Sequence, residues 1–273
     1  MDTNNNFEST LAEFIAITTV ANEKEANSLG ISFITNVLKS LGFIISIEGE
    51  SPFYQPVIVA KYNNTKSDKK VVLYGHYDVE KIKDSENWLT PPFELTENQE
   101  RYFCRGIADN KGVLLARIFA IREMIESNEQ LPNILWIIQG EEEIEGKTPF
   151  EVIPRHYKNF GSNVYVEETG MYKDGKPLIL YLPKAEKQPD FLDDLNELIY
   201  NGEASFENRK LNKFSECPFL INIPEDGYYI AFGPNDGQCN IHQENESIDK
   251  QKLEDHIQVF KKFMRWVNKA EIA

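Results

Sequence analysis

Several short runs of strand-forming residues in this sequence end in side chains that can bind metal ions or move protons. His76 and Asp78 follow the apolar run 71–74, which stops at Gly75. In open α/β sheets, ligands bind outside the carboxyl ends of the strands, so an imidazole and a carboxylate at this position are well placed for chemistry. A His-x-Asp pair by itself also fits a solvated loop histidine, because such pairs are common by chance.

Acidic residues occupy the same position after two other predicted strands. The strand predicted over 134–138 leads to three consecutive glutamates, Glu141, Glu142 and Glu143. The strand predicted over 163–166 leads to Glu167 and Glu168. Runs of acidic residues usually mark a solvated loop, but these runs repeat the placement of His76 on its own strand.

Asp109 and His242 are two further candidates. Asp109 follows an aromatic and proline-rich loop and directly precedes a helix predicted over 110–127. A carboxylate there also fits a helix N-cap, which is worth about 1 kcal/mol, so a capping role and a ligand role are both open. His242 lies in a loop rich in glycine, asparagine and aspartate, after a strand predicted over 228–232.

Imidazoles mixed with carboxylates form a donor set that suits zinc, cobalt or manganese better than calcium or magnesium. Two-metal hydrolytic sites hold their ions about 3.5–4 Å apart, which requires one bridging carboxylate, and one imidazole plus one carboxylate for each ion. The residues at the predicted strand ends contain that set. The sequence can therefore supply the ligands of two divalent metal ions as cofactors, with zinc, cobalt and manganese as the candidates.

Helical and strand patterns alternate along the chain, as is typical of α/β proteins. Apolar residues at helical spacing predict helices over residues 7–19, 25–41, 110–127 and 250–269. Apolar and β-branched runs predict strands over residues 43–48, 57–62, 71–74, 134–138, 163–166, 178–182 and 228–232. Residues 191–199 show only a weak helical pattern, and no second domain is indicated. We expect one mixed central β-sheet flanked by helices.

The composition excludes several classes of protein. The chain has 273 residues, with 29 basic and 44 acidic side chains and a net charge of −15, which argues against nucleic acid and anionic membranes as partners. Its three cysteines lack CxxC spacing, so neither a disulfide framework nor a zinc-thiolate site is indicated. The first residues lack a signal pattern, and no apolar run reaches the roughly 18 residues of a membrane span. These features predict a cytoplasmic protein.

Five motifs occur in an order that matches a known enzyme family. They are GHYD at 75–78, WLTPPFEL at 88–95 with RGIADNKG at 105–112, GEEEI at 140–144, EETGM at 167–171 with GKPLILY at 175–181, and HQENE at 242–246. On these motifs the chain resembles the co-catalytic zinc peptidase family of carnosinase, cytosolic dipeptidases, aminoacylase and carboxypeptidase G. The resemblance implies a zinc-peptidase catalytic domain that cleaves a peptide or N-acyl amino acid amide bond in a small substrate.

The resemblance also implies which residues bind the metal ions. Asp109 would bridge both ions, while His76 and Glu168 would complete one of them. Glu143 and His242 would complete the other.

Two catalytic roles are carried over in the same way. Asp78 would orient His76, since a carboxylate behind a ligating imidazole fixes its tautomer and raises its basicity. Glu142 would be the general base, taking a proton from the water activated by the two metals and returning it to the leaving amine.

Two positions within the acidic runs are open on sequence grounds. Glu141 and Glu142 could be the base and the ligand in place of Glu142 and Glu143, because Glu145 intervenes before the family's expected glycine. Glu167 could be the ligand in place of Glu168. Adjacent side chains of an extended strand face opposite ways, so only one of each pair can serve.

The chain departs from the family where a lid domain of about a hundred residues is normally inserted. That domain mediates dimerisation and supplies a histidine and an arginine to the substrate, whereas residues 183–227 here contain no histidine and only Arg209 as an arginine. We expect a single catalytic domain over residues 1–273, with 183–227 as a short replacement for the lid. The expected assembly is a monomer, or an oligomer unlike the family dimer. Acyl transfer or peptide tailoring, and a non-catalytic metal-binding scaffold, are the alternative functions.

Overall fold

The computed structural model describes residues 6–168, 170–182, 189, 191–208, 218–223 and 227–270. The helices in these ranges are α1 (Phe7–Ile15), α2 (Lys24–Ser40), α3 (Lys111–Glu126), α4 (Thr148–Phe160), α5 (Phe191–Tyr200), α6 (Pro218–Ile221) and α7 (Lys250–Lys269). The strands are β1 (Ile44–Glu48), β2 (Val57–Tyr62), β3 (Lys70–His76), β4 (Thr96–Asn98), β5 (Arg101–Phe103), β6 (Asn133–Gln139), β7 (Val164–Glu167), β8 (Met171–Lys173), β9 (Lys176–Leu182), β10 (Ser205–Asn208), β11 (Tyr228–Ala231) and β12 (Ser247–Asp249).

Most of these strands form one mixed sheet. Its order across the described residues is β1-β2-β6-β3-β7-β11-β9-β10, with β8 paired to β9, and a small separate sheet has the order β12-β5-β4. The central strands β6, β3, β7 and β11 are parallel to one another. Their carboxyl ends therefore lie along the same edge of the sheet.

The alternation of side chains along the strands divides the core into two layers. On β3, Val71 and Leu73 pack with α1, α2, α3, α5 and α7, whereas Val72 and Tyr74 pack with α4 and α6. This division follows from the two-residue repeat of a strand. The expected mixed central sheet flanked by helices is confirmed.

The differences from the predicted elements have local causes. Helix α1 ends at Ile15, and Thr19 instead donates its hydroxyl to the carbonyl of Tyr77 at 2.6 Å, next to His76. Helix α4 is not predicted from the sequence, because it carries Pro154 in its interior and an internal proline usually breaks a helix.

None of the helices in the described ranges is long and apolar enough to cross a bilayer. The replacement of a lid by residues 183–227 stays a prediction.

Helices α3 and α7 meet at a buried pair of polar side chains. The Arg117 guanidinium donates from Nε to Nε2 of His256 at 3.3 Å, and also to the carbonyls of Glu167 at 2.9 Å and Phe232 at 3.0 Å. Arg117 therefore ties the ends of β7 and β11 to both helices. Burial and the positive charge of Arg117 hold the pKa of His256 well below its ordinary value.

Acidification from about pH 7 to pH 5.5 is expected to destabilise the wild type more than the His256→Gln variant. The unfolded chain takes up a proton on His256 near its ordinary pKa of about 6.5, whereas the folded chain does not. Stability is therefore lost as the pH falls below the unfolded value, by up to about 1.4 kcal/mol per pH unit. Denaturant unfolding of both proteins measures the difference in free energy of unfolding. That difference should be constant above about pH 7.5, and a difference that stays constant down to pH 5.5 would contradict the prediction.

Candidate metal centre

The candidate residues meet at the carboxyl edge of the four parallel central strands. His76 is the last residue of β3, Glu142 and Glu143 follow β6, and Glu168 follows β7. His242 lies in the loop after β11. Because these strands are parallel neighbours, one edge of the sheet collects side chains that are far apart in the sequence.

The His76 ring is held on one side by Asp78 and faces Asp109 on the other. Its Nδ1 lies 3.1 Å from the carbonyl oxygen of Asp78 and 3.4 Å from Asp78 Oδ1, and its Nε2 lies 2.9 Å from Asp109 Oδ1. A carbonyl oxygen only accepts hydrogen bonds, so Nδ1 carries a proton and Nε2 is the atom that faces the site. Asp78 Oδ2 also accepts from the backbone N–H of Glu143 at 3.0 Å. Asp78 thus fixes both the imidazole and the loop after β6 that carries Glu141, Glu142 and Glu143, here called the acidic loop.

Asp109 lies between the two histidines of the site. Its Oδ1 is 2.9 Å from His76 Nε2, and its Oδ2 is 3.1 Å from His242 Nε2. The N-cap of α3 is Asn110, whose side chain makes no capping hydrogen bond. The Asp109 carboxylate is therefore directed to the imidazoles rather than to the helix end.

Glu143 and His242 form the outer part of the cluster. Glu143 Oε2 lies 2.8 Å from His242 Nε2, and the side chain of Glu143 is 3% exposed while that of His242 is 48% exposed. Donor atoms of Asp109, Glu143 and His242 all lie within 4.8 Å of one another. The site is therefore open to solvent on the His242 side.

The other two glutamates of this run, Glu141 and Glu142, differ from Glu143 and from each other in their environments. The backbone of Glu141 adopts a φ of 65°, and its buried carboxylate accepts from the backbone N–H and the hydroxyl of Thr148 at 3.2 and 2.9 Å. Glu141 is therefore bound to the start of α4. Glu142 faces the site, with a carboxylate oxygen within 4.8 Å of donor atoms of His76 and Glu143.

Glu167 and Glu168 point in different directions at the end of β7. The carboxylate of Glu167 accepts a hydrogen bond from the Tyr229 hydroxyl, among the residues that pack against α4 and α6. Glu168 is buried near His76 and Glu142, whose charges act on it. Among the described residues, Glu168 is in neither of the two tight donor groups, and His76 groups with Glu142 and Glu143 instead.

The carboxylates of the site strongly favour positive charge. Burial lowers the pKa of His76, but hydrogen bonds to Asp109 and Asp78 outweigh burial and hold that pKa well above its ordinary value. Hydrogen bonds to Asp109 and Glu143 raise the pKa of His242 to about 10. Burial raises the pKa of Glu142 to about 7, and it raises that of Glu168 well above its ordinary value.

The donor set fits divalent metal ions. Glu143 Oε1 and Glu168 Oε2 are buried and have no hydrogen-bond partner among the described residues. A buried carboxylate oxygen without a partner is costly, and a cation supplies that partner. Imidazole nitrogens and carboxylate oxygens together are ligands that zinc, cobalt and manganese accept.

Two polar residues beside the site are not identified by the sequence reasoning. Arg105 and Glu246 form a fully buried ion pair of 3.0 Å next to the Asp109 loop. Their signal is their place inside the RGIADNKG and HQENE motifs. Trp88 packs its ring against the Arg105 guanidinium at 5.3 Å and so braces the loop between β3 and β4. Arg209 lies outside the described residues.

Comparisons with known proteins agree on one family. A family model described as peptidase family M20/M25/M40 matches residues 72–266. The chain is 36% identical over 118 residues to the beta-Ala-His dipeptidase of Rattus norvegicus, a match that covers 43% of this chain and 24% of that protein. It is 43% identical over 94 residues to the N-formyl-4-amino-5-aminomethyl-2-methylpyrimidine deformylase of Halalkalibacterium halodurans, covering 34% of this chain and 22% of that protein. Each match therefore spans about a quarter of the relative's length.

The fold has a close counterpart among solved structures. The crystal structure of human carnosine dipeptidase 1 superposes with a TM-score of 0.81 over 97% of both chains, at 14% sequence identity. At that identity the likeness concerns the fold alone.

Proposed function

Because the chain belongs to peptidase family M20/M25/M40, we propose that it is a metal-dependent hydrolase that cleaves the amide bond of a small peptide or an N-acyl amino acid. The observation that carries the proposal is the convergence of two imidazoles and three carboxylates at one sheet edge, with the buried carboxylate of Glu168 beside them. The similar proteins include a dipeptidase and a deformylase, whose substrates share an amide C–N bond.

Five residues would hold two divalent ions, most simply zinc. Asp109 would serve both ions, since its two carboxylate oxygens face different imidazoles, His76 and His242. Glu168 and Glu143 would complete the two sets. The ions would supply the positive charge that polarises the substrate carbonyl and makes a water molecule acidic.

Glu142 would be the general base. Its carboxylate faces the site beside His76, and the interactions that act on it are burial and the charges of its neighbours, with no hydrogen bond to another described side chain. A carboxylate that no other group holds is able to take a proton from the attacking water and to pass it to the leaving amine. Glu141 is not equivalent, because Thr148 holds its carboxylate.

Asp78 would act through His76 rather than on the substrate. Its carbonyl oxygen accepts from Nδ1–H, which leaves Nε2 as the donor atom for a metal ion. Its carboxylate accepts the Glu143 backbone N–H, so the same residue fixes the loop that carries the base.

Hydrolysis of small amides by the metal-loaded protein tests the proposal. We expect turnover of some members of a panel of dipeptides and N-acyl amino acids after loading with zinc, cobalt or manganese, and loss of that turnover with a chelator. Re-addition of the metal should restore activity, which controls for unfolding. Acyl transfer would be detected as new amide products when amine nucleophiles are added. No reaction of any kind by a fully metal-loaded protein would contradict the proposal and favour a binding scaffold.

A further inference from the structure

A buried ion pair lies just outside the metal-binding residues. The Arg105 guanidinium contacts the Glu246 carboxylate at 3.0 Å, and the two side chains are 0% and 1% exposed. Moving such a pair out of water is unfavourable unless its remaining hydrogen-bonding capacity is also satisfied. The other partners of the pair therefore show what the pair holds in place.

Glu246 binds the backbone of the turn that ends in Asp109. One carboxylate oxygen, Oε2, accepts the backbone N–H of Gly106 at 3.0 Å, and Oε1 accepts those of Ala108 at 2.9 Å and Asp109 at 3.1 Å. Gly106 has a φ of 84°, a conformation that glycine adopts without strain. A single carboxylate thus fixes the backbone on which the Asp109 side chain stands.

Arg105 connects this turn to two other loops. Its guanidinium donates to the carbonyl of Gln243 at 3.2 Å and to Glu86 Oε2 at 3.2 Å. Gln243 is the neighbour of His242, so the ion pair binds both the Asp109 turn and the segment that carries His242. The two donor atoms at the ends of these segments, Asp109 Oδ2 and His242 Nε2, are 3.1 Å apart.

We propose that the Arg105–Glu246 ion pair is a positioning device that sets the separation of Asp109 from His242 and thereby the affinity of the site for divalent metal ions. The proposal rests on the proposed function and adds two positioning residues to it. Residues behind metal ligands typically change metal affinity by about 10–100-fold when they are replaced, since small displacements of a ligand weaken its bond to the ion.

The experiment compares two variants, each of which replaces one carboxylate that binds an arginine. Glu246→Gln keeps the shape of the side chain but places an amide N–H₂ against backbone N–H donors or against Arg105. The matched control is Asp236→Asn, whose carboxylate binds Arg101 at 3.1 Å and Lys252 at 2.8 Å without contacting the Asp109 turn. Zinc affinity of each metal-free protein is measured by competition with a chromogenic chelator, and thermal unfolding of the same samples is followed by circular dichroism.

We expect Glu246→Gln to bind zinc about 10–100-fold more weakly than the wild type, and Asp236→Asn to bind it like the wild type. Equal affinities in wild type and Glu246→Gln would overturn the inference while leaving the proposed function intact. Zinc binding without hydrolysis by the wild type would overturn the proposed function and leave the inference intact. If Glu246→Gln does not fold, Arg105→Lys takes its place, since it keeps the charge but loses the fork whose Nη1 binds both Glu246 and Gln243 while Nη2 binds Glu86. Unchanged affinity in that folded variant would overturn the inference equally.

Discussion

Replacement of Glu142 by alanine is expected to lower kcat by about 10²–10⁴-fold while the metal content stays that of the wild type. The carboxylate is the one proton acceptor of the acidic loop that faces the site without being bound elsewhere, since Thr148 holds Glu141 and His242 contacts Glu143. Its loss removes the group that takes the proton from water, but it removes none of the five proposed ligands. Steady-state kinetics and metal analysis on the same preparation measure both quantities.

The matched control is Glu145→Ala, three residues further along the same loop. Glu145 is exposed, so its removal changes the net charge equally without touching the site, and kcat should stay within about twofold of the wild type because surface substitutions have small effects. A Glu142→Ala variant that retains full activity would remove Glu142 from the mechanism. Loss of activity together with loss of metal would instead identify Glu142 as a ligand.

The position of the site could be predicted from the sequence because it depends on short segments, each an apolar run followed directly by a polar side chain. Buried parallel strands have sequences that are short apolar runs. The first polar side chain after each run therefore lies at the edge of the sheet. His76 at the end of β3 and the glutamates after β6 follow this rule. The order of the motifs then identified the family, which the match over residues 72–266 confirms.

The roles within the acidic runs could not be separated in the same way, since neighbouring glutamates look alike in sequence. The distinction that we propose depends on the left-handed backbone of Glu141, with φ of 65°, and on Thr148, which binds its carboxylate. The N-cap interpretation of Asp109 failed for a similar reason. A carboxylate before a helix is favoured locally, but here two imidazoles from distant parts of the chain bind it.

The Arg105–Glu246 pair shows what sequence reasoning misses. The two residues are 141 positions apart, and neither is among the ligands that the resemblance implies. Their proposed role depends on backbone N–H groups that become neighbours only in the folded chain. A charged residue at the end of a motif is usually assigned to the surface, whereas here the tertiary structure buries both charges.

Replacement of Asp109 by asparagine is expected to remove both metal ions, whereas His242→Asn should remove one. The two oxygens of Asp109 face different imidazoles, at 2.9 and 3.1 Å, so this side chain is shared by both proposed ion positions. Asparagine has the same size but offers one neutral oxygen, and it cannot bind two cations. His242 contacts only Asp109 and Glu143 among the proposed ligands, so its loss should leave the position at His76 occupied.

Metal analysis after exhaustive dialysis should therefore give about two ions per chain for the wild type, about one for His242→Asn and close to none for Asp109→Asn. Activity of Asp109→Asn should fall by about 10³-fold or more, equivalent to about 4 kcal/mol of transition-state stabilisation. Circular dichroism controls for folding in each variant. Retention of two ions by Asp109→Asn would show that the aspartate does not bridge them, and the shared-ligand arrangement would have to be replaced by two independent sites. An equal loss from both variants would mean that the ions bind cooperatively, because removing a ligand of one ion would then also release the other.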